Sequence, residues 1–276
     1  MKWRQALRQH FPTHKYVIDA KQLGDTATLP WSNLGDWTAT ASYPVACRQL
    51  ALQLAQAVHV SKQDRLLDLG CGQGASLKLW LDEFQLEHVA AMEMQAAHVE
   101  HIQKNLDSNY SIYADSFLNA KDYFPIRSLD VIVCIDAAYH CHLNSFLQAV
   151  QPLLNSKGRL GFHGLMLSEK WHSLNALQRQ KYAWLLKAAD VKLEHLMLEP
   201  KLQQSLLDFD FQHIQIEDYS ERVLAGFAHY YQLLKSHGVK PQGLDGFKIQ
   251  MTAKLCQKLY ADGLVRYVQV TACLSI

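Results

Sequence analysis

Residues 65–75 read RLLDLGCGQGA, an apolar run interrupted by one acid and followed by glycine at every second position. Leu66, Leu67 and Leu69 suit a parallel strand covered on both faces. Gly70, Gly72 and Gly74 let the chain turn tightly with bare backbone against a ligand, because no Cβ stands in the way. Such a stretch at the end of a buried strand fits a nucleotide-cofactor loop.

Two cofactor classes use loops of this kind. With Ala75 standing for the last glycine of G-x-G-x-x-G/A, a dinucleotide remains open. Asp68 lies just before the first glycine and completes D-x-G-x-G-x-G, which resembles motif I of the class I S-adenosylmethionine-dependent methyltransferases. The resemblance implies that Asp68, Gly70, Cys71, Gly72 and Gly74 bind that cofactor.

Later segments keep the same order. A short helix, Ser76 to Phe84, leads to a strand over Val89 to Met94 whose Glu93 lies about 20 residues past the loop, where an adenosine ribose needs an acid. After an amphipathic helix from Gln95 to Leu106, YSIYADSF sets Asp115 and Ser116 at the end of a third strand. By resemblance, Glu93 and Met94 hold the ribose region, and Asp115 and Ser116 meet the adenine.

A fourth strand, Leu129 to Asp136, is followed by AAYHCHL, a helix, and Lys157-Gly158-Arg159 before a fifth strand. Asp136-Ala137-Ala138-Tyr139-His140 resembles the D-x-x-Y/H-H segment of the small-molecule branch of these enzymes. That branch includes relatives of ubiquinone C-methyltransferases, sarcosine and dimethylglycine N-methyltransferases, and natural-product O-methyltransferases. The N/D-P-P-Y/F signature of nucleic-acid N-methyltransferases is absent. The resemblance implies that Asp136 holds cofactor, that His140 is a base beside the transferred methyl group, and that His163 approaches the same cavity. It also implies a departure: relatives often carry D-x-x-L after strand five, where this chain has Phe162-His163-Gly164-Leu165.

The expected fold is α/β, a Rossmann-like seven-stranded methyltransferase sheet with helices on both faces and a helical lid after strand five. Strand and helix signals alternate from about Ser61 to Met166. The lid is expected over about 167–210, with Trp171, Leu174, Leu177, Trp184 and Leu185 as one apolar helix face. Phe211 to Ser220 and Leu264 to Leu274 complete the strands, and the resemblance implies that the last is antiparallel. Residues 1–60 form an N-terminal flap and a helix that opens at Pro44; residues 61–276 form the catalytic domain. WSNLGDW, Trp31 to Trp37, resembles the L-G-x-W region preceding the core in this branch. Tyr43 is expected on the cofactor's methionine side, and Trp37 and Tyr139 against substrate.

Composition bounds the partners. At 276 residues, 49% hydrophobic and 19% charged, the chain can bury a substantial core. A net charge of +1 gives no electrostatic reason to expect nucleic acid. MKWRQALRQHF lacks the apolar run of a secretory signal, and no stretch approaches the ~20 apolar residues that span a bilayer, so a cytoplasmic protein without membrane association is expected. The six cysteines form no C-x-x-C pair and are expected as thiols. No metal is expected: His140, Cys141 and His142 are adjacent in sequence rather than spaced as ligands, and His98 and His101 read as a solvated helix face. The sequence therefore points to transfer of a methyl group from S-adenosylmethionine to oxygen or nitrogen of a small metabolite. C-methylation of a quinone-like or lipid acceptor and a non-catalytic cofactor-binding module are the alternatives. The acceptor and the oligomeric state are not legible.

Overall fold

The computed structural model describes residues 19–107, 109–187 and 189–275. The segment MKWRQALRQHF, and with it the start of the expected flap, lies outside the described residues. Seven strands form one sheet in the order β3-β2-β1-β4-β5-β7-β6. The strands are β1 (Arg65–Leu69), β2 (His88–Glu93), β3 (Tyr110–Ala114), β4 (Leu129–Cys134), β5 (Leu154–Leu167), β6 (Phe211–Asp218) and β7 (Val265–Leu274). All pairings from β3 to β5 are parallel, and β7 inserts antiparallel between β5 and β6.

The central strands are buried on both faces, and their side chains divide with the two-residue period of a pleated strand. Leu66, Val131 and Val133 enter one core, while Leu67, Leu69, Ile132 and Cys134 enter the other. Helices α1 (Tyr43–Ala57), α2 (Ala75–Asp82), α3 (Ala96–Asn105) and α4 (Leu143–Val150) follow in chain order, then α5 (Ala176–Lys187), α6 (Glu199–Asp208), α7 (Gly226–Ser236) and α8 (Gly243–Asp262). Pro44 sits in the first turn of α1, where its missing N–H costs nothing. Among the described residues no helix is long and apolar enough to cross a membrane.

The insertion after β5 differs from the expected single lid helix. Asn175 Oδ1 accepts from the Gln178 N–H at 2.9 Å, and Gln178 Oε1 accepts from the Asn175 N–H at 2.9 Å. This reciprocal capping box starts α5 only at Ala176 and breaks the expected apolar face. Trp171 is buried before the helix, whereas Leu177 and Trp184 are 61% and 73% exposed and Tyr182 and Leu186 point inward. Helix α6 belongs to the sheet's flanking layer, with Leu202 and Leu206 in the same core as β4 and β5.

Residues 19–42 are fastened to α7. Trp37 stacks on Tyr230 with ring centroids 4.3 Å apart, and the Tyr230 hydroxyl donates to the Leu23 carbonyl at 2.7 Å. Gly226 makes room for the indole: a Cβ there would lie 2.5 Å from Trp37 Cβ. Gly226→Val should therefore destabilise the fold by about 1–3 kcal/mol through overpacking. A urea-unfolding midpoint equal to that of the wild type would show that this packing is not needed.

Candidate active site

At the carboxyl end of β1 the chain turns through Gly70, Gly72 and Gly74 at φ of +73°, +56° and +93°. Two of these positions also crowd any side chain. At Gly72 a Cβ would overlap Ser32 Oγ of the leader, and at Gly74 it would meet Ile102 Cγ1 of α3 at 2.7 Å. The loop thus packs under the leader on one side and against α3 on the other.

Asp68 is buried two residues before this turn. Trp80 Nε1–H donates to its Oδ2 at 2.8 Å, while Oδ1 is buried with no hydrogen-bond partner. Burial pushes the carboxyl up to about 6. With Gly70, Cys71, Ser76, Ser32 and Asp136, Asp68 lines a cleft of about 70 Å³ between the turns after β1 and β4.

Along the sheet, Glu93 closes β2. Its Oε2 accepts from the Gly72 N–H at 3.1 Å and its Oε1 from the Gln95 N–H at 2.9 Å; burial raises its pKa. His98, expected to be solvated, instead sets Nδ1 3.8 Å from Glu93 Oε1, because the first turn of α3 folds back over the end of β2. Met94 is 44% exposed beside it. Asp115, at the end of β3, accepts from the Ser116 N–H at 2.7 Å, Asn119 Nδ2 at 3.0 Å and the Tyr123 hydroxyl at 2.9 Å. Ser116 caps the short helical turn that follows, accepting from the Leu118 N–H at 3.3 Å. The structure therefore brings Asp68, the glycines, Glu93, Asp115 and Asp136 to the carboxyl ends of β1 to β4, where open α/β sheets bind ligands.

Asp136 holds φ at +56°, in the left-handed region that costs a non-glycine residue energy. The Tyr139 and Tyr267 hydroxyls both donate to its Oδ1, at 2.9 and 3.0 Å, and the Leu34 N–H donates to Oδ2 at 2.9 Å. Burial pushes this carboxyl, too, up to about 6, while burial holds both phenols far above their ordinary value and so keeps them as donors. Beyond it opens a mainly apolar cavity of about 300 Å³. Its walls come from Leu185 and Leu186 of α5, from Met251, Leu255, Cys256 and Leu259 of α8, and from Tyr139, His140 and Tyr267. Ser32 and Asp136 line both chambers.

Three expected contacts are placed elsewhere. Tyr43 is fully buried in α1 and its hydroxyl donates to the Asn33 carbonyl at 3.0 Å, so it supports the leader from behind instead of lining the cleft. Trp37 lines neither chamber; its Nε1–H donates to the Leu34 carbonyl at 2.7 Å within the aromatic stack on α7. His163 is fully buried because β5 runs on to Leu167, which makes it a mid-strand residue opposite Gln269 rather than a rim residue. Its Nε2 lies 3.3 Å from Gln269 Oε1, and burial lowers its pKa to about 4. His140 does line the cavity, with Nδ1 3.2 Å from the Asp190 carbonyl. Cys141 Sγ turns to the Ala138 carbonyl and His142 caps α4, so the three neighbours have separate partners. Among the described residues no group of three or more His, Cys, Asp or Glu could hold a metal ion.

The wall from α8 and Tyr267 was not expected from the sequence. Its one signal was the apolar recurrence Met251, Leu255 and Leu259 at helical spacing, which reads equally as core.

Residues 66–158 match the family described as methyltransferase domain. Erythromycin 3''-O-methyltransferase of Saccharopolyspora erythraea is 29% identical over 125 residues, covering 42% of this chain and 41% of that protein. The match thus spans about two fifths of the length of that curated relative. Among solved structures, the cyclopropane synthase MmaA2 from Mycobacterium tuberculosis superposes with a TM-score of 0.72 at 15% identity, covering 94% of this chain and 95% of that one. A geranyl diphosphate methyltransferase solved with GPP and sinefungin gives 0.70 at 14% identity and 99% coverage of both chains. The likeness to the solved structures carries the sheet order, and the family match carries the glycine loop within residues 66–158.

The buried Asp68 carboxyl has a stability signature. Its pKa is raised from the ordinary 3.8 to about 6, so the folded state binds more protons than the unfolded state between those values, and stability falls as pH rises through that window. Asp68→Asn keeps an acceptor for Trp80 and removes the titration. Between pH 4 and 7 the wild type should lose on the order of 2 kcal/mol relative to this variant in urea unfolding. Parallel pH profiles for the two proteins would refute the assignment.

Proposed function

We propose that the protein transfers a methyl group from S-adenosylmethionine to an oxygen or nitrogen of a small-molecule metabolite, in the cytoplasm and without a nucleic-acid or membrane partner. The observation that carries this reading is the pair of chambers meeting at Ser32 and Asp136: a small polar cleft over the glycine loop beside a larger apolar cavity. The neighbouring fold includes a cyclopropane synthase as well as methyltransferases, so the fold by itself does not select the reaction.

The residues present fit the cofactor. Asp68 Oδ1, buried without a partner, suits the positively charged methionine end. Gly70 and Cys71 line the cleft, and Gly70 and Gly72 turn there in the left-handed region with bare backbone. Glu93 and Met94 stand next for the ribose, then Asp115 and Ser116 for the adenine. Bound there, the sulfonium supplies an activated methyl group, and what remains for the protein is alignment and exclusion of water, worth up to ~7–11 kcal/mol in model systems. Tyr139 and His140 contact the acceptor. The lining of the cavity, but not the cleft, by His140 supports a role at the acceptor.

Incubation with methyl-labelled S-adenosylmethionine and a deproteinised cell extract should place label in the small-molecule fraction. Label confined to protein or nucleic acid in a whole extract would contradict the substrate class. Gly72→Leu should abolish binding of S-adenosylhomocysteine in calorimetry, and retained affinity would remove the loop from the site. Because Asp68 must be ionised to receive a cation, S-adenosylmethionine affinity should fall about tenfold per pH unit below 6 and level off above it. Asp68→Asn should bind more weakly at neutral pH and with a flat profile; a flat profile in the wild type would contradict the pairing.

A further inference from the structure

We propose that Asp136 is the proton acceptor of the transfer, serving a hydroxyl group as the methyl acceptor. This inference rests on the methyltransferase reading and goes beyond it in naming the base and the nucleophile. In the sequence Asp136 belongs with the cofactor ligands, and His140 is the expected base. The structure separates the two. Methyl transfer has to cross from the cleft to the cavity, and Asp136 is the only ionisable residue among the described residues that lines both.

Its hydrogen bonding is incomplete. A carboxylate offers about four acceptor positions. Two on Oδ1 are taken by Tyr139 and Tyr267, and one on Oδ2 by the Leu34 N–H. One position on Oδ2 is left. The tyrosines hold the carboxylate in place and favour its charged form, and a residue strained at φ +56° is fixed there by all three donors. Asp136 acts on a set of phenols and thiols, namely Tyr43 and Cys47 from α1, Cys134 from β4, Cys256 from α8 and the two tyrosines, while His140 and, from α8, Lys254 and Lys258 line the same cavity. Burial raises each of the phenols and thiols, which leaves the carboxylate as the ionised member of that set at neutral pH.

The step balances simply. A lone pair of the acceptor oxygen forms the new bond to the methyl carbon, the carbon–sulfur bonding pair stays with sulfur, and the O–H proton passes to Asp136 Oδ2. The proton then leaves to water once the methylated product has been released. An acceptor with no proton to lose would have no use for this group.

The test compares wild type, Asp136→Asn, Tyr267→Phe and His140→Gln. S-adenosylhomocysteine affinity is read by calorimetry, and its release is followed against pH with deproteinised extract as the acceptor source. Asp136→Asn should keep cofactor affinity within a few-fold and lose about 100-fold or more in rate. Tyr267→Phe removes a donor to the charged carboxylate, so the acid limb of the rate profile should move to higher pH, while His140→Gln keeps that limb. Infrared pH-difference spectra of the ligand-free protein should show a carboxyl band titrating near 6 that Asp136→Asn deletes. An Asp136→Asn rate within about threefold of wild type, or an acid limb lost in His140→Gln and unmoved in Tyr267→Phe, overturns the proposal. A wild type that binds cofactor yet releases no product overturns the methyltransferase reading itself, and the inference with it.

Discussion

Because β1 continues toward β2 on one side of the sheet and β4 lies on the other, the turns that leave these two strands separate at their carboxyl ends. Everything at the site follows from how that gap is lined. On one lip the chain has Asp68 and a run of glycines in left-handed conformation; on the other it has Asp136, itself left-handed. Asp68 is buried and Asp136 half-buried, and desolvation without a paired cation among the described residues pushes both up to about 6. A protein that keeps two such acids adjacent to one gap has arranged an unfavourable ground state that a cationic ligand relieves.

The leader converts that gap into two rooms. Ser32 lies over Gly72, and the Leu34 N–H reaches Asp136. The same segment is held from behind by Tyr43 and from the side by the Trp37–Tyr230 stack. Residues expected in contact with ligands thus turn out to position the strip that makes the contacts. Beyond it, α5 and α8 close the larger room, tied together where the Tyr182 hydroxyl donates to Asp262 at 3.0 Å.

What could be read in the sequence was local. The strand, acid and glycines at 65–75 report their conformation through neighbours a few residues away, and the acids after β2 and β3 follow at fixed distances because each strand and helix has a nearly fixed length. Facing was less legible. His163 changed from rim to core because β5 extends four residues past it to Leu167, and a strand's length depends on the partner it pairs with, here β7. The start of α5 was written in Asn175 and Gln178 as a capping pair, yet the tryptophans on either side drew the apolar face to the wrong phase. Tyr267 lies 131 residues from the carboxylate it holds, and no local pattern couples them.

The most direct measurement is a crystal structure with S-adenosylhomocysteine bound. The homocysteine end should lie against Asp68 and the glycine loop, with its sulfur facing the opening between Ser32 and Asp136 into the α5–α8 cavity. A sulfur turned away from that opening, or a ligand seated elsewhere, would contradict the two-room arrangement on which the function rests.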